Sequence, residues 1–268
     1  MKDEMRSAAK LNLGAGLRQA PVWIAMALIA GASWLYLGRM NASMSAMDGG
    51  ASAHAGMAMG GGGADALVAA FVMWAAMMVA MMLPTVAPSA AVFAQLAARR
   101  DAERANRASA IYVTGYIGCW IAFATLAALM QWGLTHALLL DPMARSTSAL
   151  LSAGLLLAAG IYQWLPQKRA CLAKCRSPLA FFMARWRDGT RGALALGIEH
   201  GGYCVACCWA LMAVMFVVGA MNLAWMGLFT LVVLGEKIAP ANWQLDRILG
   251  AILVGSALWW VAGAWIAG

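Results

Sequence analysis

Charge is scarce in this sequence. Only 11% of its 268 residues are Asp, Glu, Lys or Arg, against 63% hydrophobic, and the mean hydropathy is +0.73. No stretch is polar for long enough to form a separate water-soluble domain, because apolar runs of bilayer-crossing length take up nearly the whole chain. Cysteine is missing from every segment expected on the outer side. Cys119, Cys204, Cys207 and Cys208 fall in apolar runs, and Cys171 and Cys175 fall in a basic loop. A disulfide scaffold is therefore disfavoured, and metal or redox chemistry gains. Basic residues are almost missing from one side too. Seventeen of the nineteen Lys and Arg lie before the first apolar run or in the even-numbered loops, which leaves only Arg39 and Arg145 opposite them. The net charge of +8 is thus sorted by loop. It fixes topology by the positive-inside rule and carries no nucleic-acid function. Nor is there an internal repeat strong enough for an inverted-repeat transporter.

What remains is an all-α, polytopic transmembrane bundle of about seven spans, with the amino terminus inside and the carboxyl terminus outside. Residues 1–40 read as an uncleaved signal-anchor span, since the nearest small-residue cleavage pattern, Ala51-Ser52-Ala53, lies well past the apolar run. Residues 41–65 form a Met- and Gly-rich external loop, expected to be flexible. Residues 66–240 make the metal-binding membrane core, and residues 241–268 supply a last span.

The core is organised around Gly192 to Met215, GALALGIEHGGYCVACCWALMAVM. This run is apolar enough to cross a bilayer, yet it holds Glu199, His200, Cys204, Cys207 and Cys208. Ionisable groups inside a span are costly and mark function. Offsets of four and seven or eight return to one helix face, so His200, Cys204 and Cys207 or Cys208 share a stripe. Thiolate, imidazole and thioether suit Cu(I), with Zn(II) next where thioethers are absent. His200 and Cys208 are eight residues apart, about 12 Å on an ideal helix, so one ion reaches both only if the helix bends. The Gly201-Gly202 pair allows such a break, or else a close helix approach.

The run MWAAMMVAMMLP adds thioethers. Met73, Met77 and Met81 fall on one row and Met78 and Met82 on the next, although Met is also a common packing residue. Pro84 and Pro88 follow, predicting a kink or break near Pro84. Met44, Met47, His54, Met57 and Met59 of the external loop could capture metal, or could be compositional drift. Cys171 and Cys175, in CLAKCRSPLAFF, would share a face if helical, but one Cys-x3-Cys pair is a weak metal signal. Glu236-Lys237 reads as a snorkelling interfacial anchor. Glu199 is expected to line an inner vestibule, with Lys237 its nearest basic candidate.

The run HGGYCVACCWALM, with Met221-Asn222, Trp225-Met226, Glu236-Lys237, AMMLP and CLAKCRSPLAFF, resembles an uncharacterised bacterial family of predicted metal-binding integral membrane proteins. The resemblance covers about Ala66 to Lys237. It implies metal binding by the His and Cys motif, with Ala206 where many members carry Gly.

Function follows as binding of a soft metal, Cu(I) before zinc, in the bacterial inner membrane, for uptake or for delivery to a membrane cuproenzyme. The expected site is His200, Cys204, Cys207 and Cys208 with Met77, Met78, Met81 and Met82. Its partners are the lipid bilayer and a metallochaperone or cuproenzyme complex, with no nucleic acid. An enzymatic role is the lesser expectation. The alternatives are a dithiol oxidoreductase using Cys204 and Cys207, and a structural or assembly subunit of a larger membrane complex.

Overall fold

The computed structural model describes residues 2–47, 63–141 and 144–267. Among these residues there is no strand, and the chain is a set of packed helices. They are α1 (Lys2–Met47), α2 (Ala64–Arg100), α3 (Ala105–His136), α4 (Ala149–Trp164), α5 (Pro166–Arg176), α6 (Pro178–Arg185), α7 (Gly189–Ala213), α8 (Met215–Val218), α9 (Leu223–Ile238) and α10 (Leu245–Ala267). Parts of α1, α2, α3 and α10 and the joined α7–α8 segment make 5 helices long and apolar enough to cross a membrane, or 6 if α4 and α5, bent by 65°, form one broken span. The helix α9, at 16 residues, is shorter than a typical span. Leu28, Leu35, Leu126, Leu150 and Leu231 are exposed around the outside, as a lipid-facing surface requires.

Local chemistry explains several helix ends. The side chain of Ser148 accepts from Leu151 N to start α4, and Asn222 accepts from Ala224 N and Trp225 N to start α9. A glycine at φ +92, Gly219, makes the turn before it. Helix α1 continues through Asn41 to Met47, where a flexible loop is expected from Asn41. These seven residues hold neither Gly nor Pro to stop a helix, and the Gly-rich stretch begins only at Gly49. The capture residues His54, Met57 and Met59 lie outside the described residues, as do the side chains of Met44 and Met47.

Helix α2 runs through Pro84 and Pro88 rather than breaking. The ring of Pro84 removes the amide that would bond the carbonyl of Ala80, four residues earlier. The indole of Trp34 on α1 donates to that oxygen at 3.1 Å, so the freed acceptor is satisfied by a neighbour.

The tightest crossing sets the site. Helix α7 lies on α3 through glycines: a methyl group on Gly115 would stand 2.7 Å from Leu194 O, and one on Gly201 would stand 2.9 Å from Tyr116 O. A methyl on Gly197 would run into the carbonyl oxygen of Tyr112. Gly197 and Gly201 are four apart on one face, the small-residue spacing that lets membrane helices approach closely. Of the two roles open to Gly201-Gly202, close approach is the one realised, since α7 continues unbroken through both residues. Gly197→Ala should therefore push α7 from α3 and cost about 1–3 kcal/mol of stability. Thermal unfolding of the detergent-solubilised protein would measure this, and an unchanged midpoint would contradict the crossing described.

The segment from Gln167 to Gly192, expected as a cytoplasmic loop, folds into the bundle as α5 and α6. Lys168, Leu172, Cys175, Phe181 and Phe182 are all buried. Polar composition hides this docking because the buried charge is paired. Lys168 Nζ lies 2.7 Å from Glu236 Oε1, with the two side chains 0% and 1% exposed, and it also donates to Gln163 Oε1.

Candidate metal centre

Midway along α7, Cys204, Cys207 and Cys208 turn into the core, and none is more than 1% exposed. Their sulfur atoms all lie within 4.8 Å of one another. The Cys207 and Cys208 sulfurs are 3.2 Å apart, and the Cys207 thiol lies 3.2 Å from the carbonyl of Cys204. Three unpaired thiols in so small a volume, out of reach of water, can hold one soft cation as thiolates. The same burial argues against a dithiol exchange role, because a protein thiol substrate has no access to Cys204 or Cys207.

The close crossing puts α3 alongside in matching register. Tyr112 and Tyr116 are four apart, as are His200 and Cys204, and the pairs meet as two rungs. The Tyr112 hydroxyl bonds His200 Nδ1, and the Tyr116 hydroxyl lies 3.0 Å from Cys204 Sγ. His200 is buried among Tyr112, Tyr116, Phe181 and Phe182, and its Nε2 has no hydrogen-bond partner. It stands outside the group of three sulfurs. A buried imidazole nitrogen left without a partner is costly, and a soft cation displaced towards His200 would relieve that cost.

The second rung continues to a cation. Lys237 Nζ is 3.1 Å from the Tyr116 hydroxyl and 2.9 Å from Thr85 Oγ1, and its side chain is buried. Lys237 is thus no snorkelling anchor. It turns inward, and the bonds its ammonium donates to Thr85 and Tyr116 keep it there. Glu236 also turns inward, onto Lys168. Both residues correct the expectation of an interfacial pair. Glu199 pairs with Arg185 of α6 rather than with Lys237.

The methionine rows face the same interior. Met73, Met77, Met78, Met81 and Met82 are fully buried, and so are Met212 and Met215 beyond the cysteines. The sulfur of Met82 lies 3.5 Å from Thr85 Oγ1, which is 3.4 Å from the Tyr116 hydroxyl. The near end of the rows therefore joins the polar chain that ends on Cys204. Cys119 packs at the helix crossing, its thiol 3.2 Å from Ile198 O, as a small side chain at that crossing should.

A family model described as PpoB2, copper chaperone, matches residues 71–260. The chain belongs to this copper chaperone family. No curated protein and no solved structure matches it. The match takes in α2 from Phe71 onwards, all of α3 to α9, and most of α10. The copper-family core thus contains the three cysteines, His200 and both methionine rows, while α1 and residues 41–65 precede it. Family membership and the buried thiol group together support copper binding or handling.

Three features of this member of the family are not visible in the motif. Tyr112 and Tyr116 carry a signal in the sequence, a four-residue spacing equal to that of His200 and Cys204. Thr85 and Lys237 carry none, because they meet Tyr116 only after three helices have packed. Cys175 is the third feature: its thiol interacts with those of Cys204 and Cys207.

Proposed function

We propose that this chaperone binds Cu(I) in the bacterial cytoplasmic membrane, holds it on Cys204, Cys207 and Cys208, and passes it to a membrane cuproenzyme or a metallochaperone. The observation that carries this reading is the group of three buried sulfurs within 4.8 Å of one another. Met77, Met78, Met81 and Met82 lead towards the thiols and supply weaker, reversible ligands. His200 Nε2 is the nitrogen available at the near side. Thioethers favour Cu(I) over Zn(II), so the donor set as a whole selects copper. A chain of about seven spans with its amino terminus inside places the basic end, with α5 and α6, in the cytoplasm. Ligand strength then rises inward from thioether to thiolate, which suits uptake or delivery rather than export.

The test is metal retention by the full chain in detergent under anaerobic, reducing conditions. Protein supplied with Cu(I) should keep about one ion per chain against a moderate competitor, and Cys204→Ser or Cys208→Ser should lose it, given the selectivity of thiolates for Cu(I). Retention of zinc in place of copper, or binding unchanged in both variants, would overturn the assignment.

A further inference from the structure

Cys175 belongs to a different helix from the motif. It lies on α5, which leaves α4 at a bend of 65° and packs against α7. Its side chain is buried, and its thiol interacts with the thiols of Cys204 and Cys207. It is not one of the three whose sulfurs all stand within 4.8 Å of one another. One helical turn earlier, Cys171 is half-buried. From α4, the Tyr162 hydroxyl donates to Ala206 O, beside Cys207 on α7. Thiols therefore descend from full burial at Cys204, Cys207 and Cys208, through Cys175, to partial exposure at Cys171. The opposite face of α5 borders a cavity of about 620 Å³ lined by Arg169, Arg176, Lys237, Asp246 and Arg247, among others. Cations outnumber carboxylates in that lining, so it attracts an acceptor bearing negative charge.

We propose that Cys175 is the exchange thiol through which Cu(I) leaves the three-cysteine centre, and that Cys171 is the next ligand on the way out. The inference rests on the copper reading above. In the exchange step a copper–sulfur bond forms to Cys175 while the bond to one of the three motif cysteines breaks. The proton of the Cys175 thiol passes to the departing thiolate, and copper stays in the +1 state, so no oxidant or reductant is needed. Attack by a neighbouring thiol is the same associative chemistry that moves disulfides. It avoids a free ion at any point. A second transfer to Cys171 repeats the balance and brings the ion to a sulfur that an outside ligand can reach.

The experiment loads the full-length protein with Cu(I) anaerobically in detergent, counts copper per chain, and follows its transfer to excess bathocuproine disulfonate by stopped-flow absorbance. Cys175→Ser should keep the copper content of the unaltered protein and release it at least about tenfold more slowly, since a hydroxyl cannot replace the exchanging thiol. Cys171→Ser should slow release less. Cys175→Met, which restores a soft donor of similar reach, should recover part of the rate and so separates lost chemistry from damaged folding. Release from Cys175→Ser within about twofold of the unaltered rate would overturn the proposal. Loss of copper from Cys175→Ser would also overturn it, because Cys175 would then be a resident ligand. Unaltered protein that takes up no copper would overturn the copper reading itself, a result distinguishable from loaded protein with unchanged release.

Discussion

Replacing Lys237 with Met is expected to weaken Cu(I) binding about a hundredfold while leaving all the cysteine sulfurs in place. Three thiolates around one monovalent cation carry excess negative charge in a volume closed to water. Lys237 is the cation joined to them, through the Tyr116 hydroxyl at 3.1 Å and from there to Cys204 Sγ at 3.0 Å. Its ammonium also stands 5.5 Å from the centre of the Tyr116 ring. Removing the positive partner of a buried charge pair costs about 3 kcal/mol or more, which corresponds to about a hundredfold in affinity. Lys237→Arg keeps the charge and should recover much of the loss, whereas a purely structural role for the lysine stem would be served by Met. Competition titration against bicinchoninate reads the affinity directly. Equal affinities for Lys237→Met and the unaltered protein would show that the thiolates are balanced by something else. Binding to thiols releases protons, so affinity should rise with pH in both proteins, and the comparison belongs at a single pH.

Much of this centre could be read from residues alone, because a helix converts spacing into a face. His200, Cys204, Cys207 and Cys208 are all buried on α7 as their offsets require, and the two methionine rows on α2 are buried side by side. The ends of the motif were also recognisably too far apart for one ion, and the structure groups the cysteines while leaving His200 one rung away. What spacing cannot supply is the partner brought by another helix. Lys237 looks like an interfacial anchor because it follows an apolar run and precedes Pro240, and only the packing of α9 on α2 directs it to Thr85. The α5–α6 segment misled for the same reason. Its charges suggest solvent, but Lys168 is neutralised by Glu236, 68 residues later. Once that charge is cancelled, Leu172, Cys175, Phe181 and Phe182 can enter the core. Pro166 and Pro178, which look like loop punctuation, instead stand at the first turns of two short helices, where a missing amide costs nothing.

That neutralised pair gives the second large expectation: Lys168→Met should loosen α5 and destabilise the protein by about 3–5 kcal/mol, the cost of stranding a buried charge. Both carboxylate oxygens of Glu236 accept from Lys168, at 2.7 and 2.9 Å, and neither partner is more than 1% exposed. Arg176, at the other end of α5, donates to the backbone oxygen of Glu236 at 2.6 Å, so two ends of one short helix are tied to one residue of α9. Without Lys168 the carboxylate loses its cation and Gln163 loses its donor together. Methionine matches the lysine stem in bulk, so the loss measured is one of charge and hydrogen bonding rather than of packing. Two readouts should move in concert: a lower unfolding midpoint in detergent, and faster maleimide labelling of Cys175 under native conditions as α5 detaches. The double change Lys168→Met with Glu236→Gln removes both charges and should recover much of the stability, as contacting residues are coupled. If the single variant melts at the unaltered temperature and Cys175 stays as slow to label, the pair does not hold α5 in place. The helix would then rest on Leu172, the Arg176 bond to the Glu236 backbone and the aromatic residues of α6.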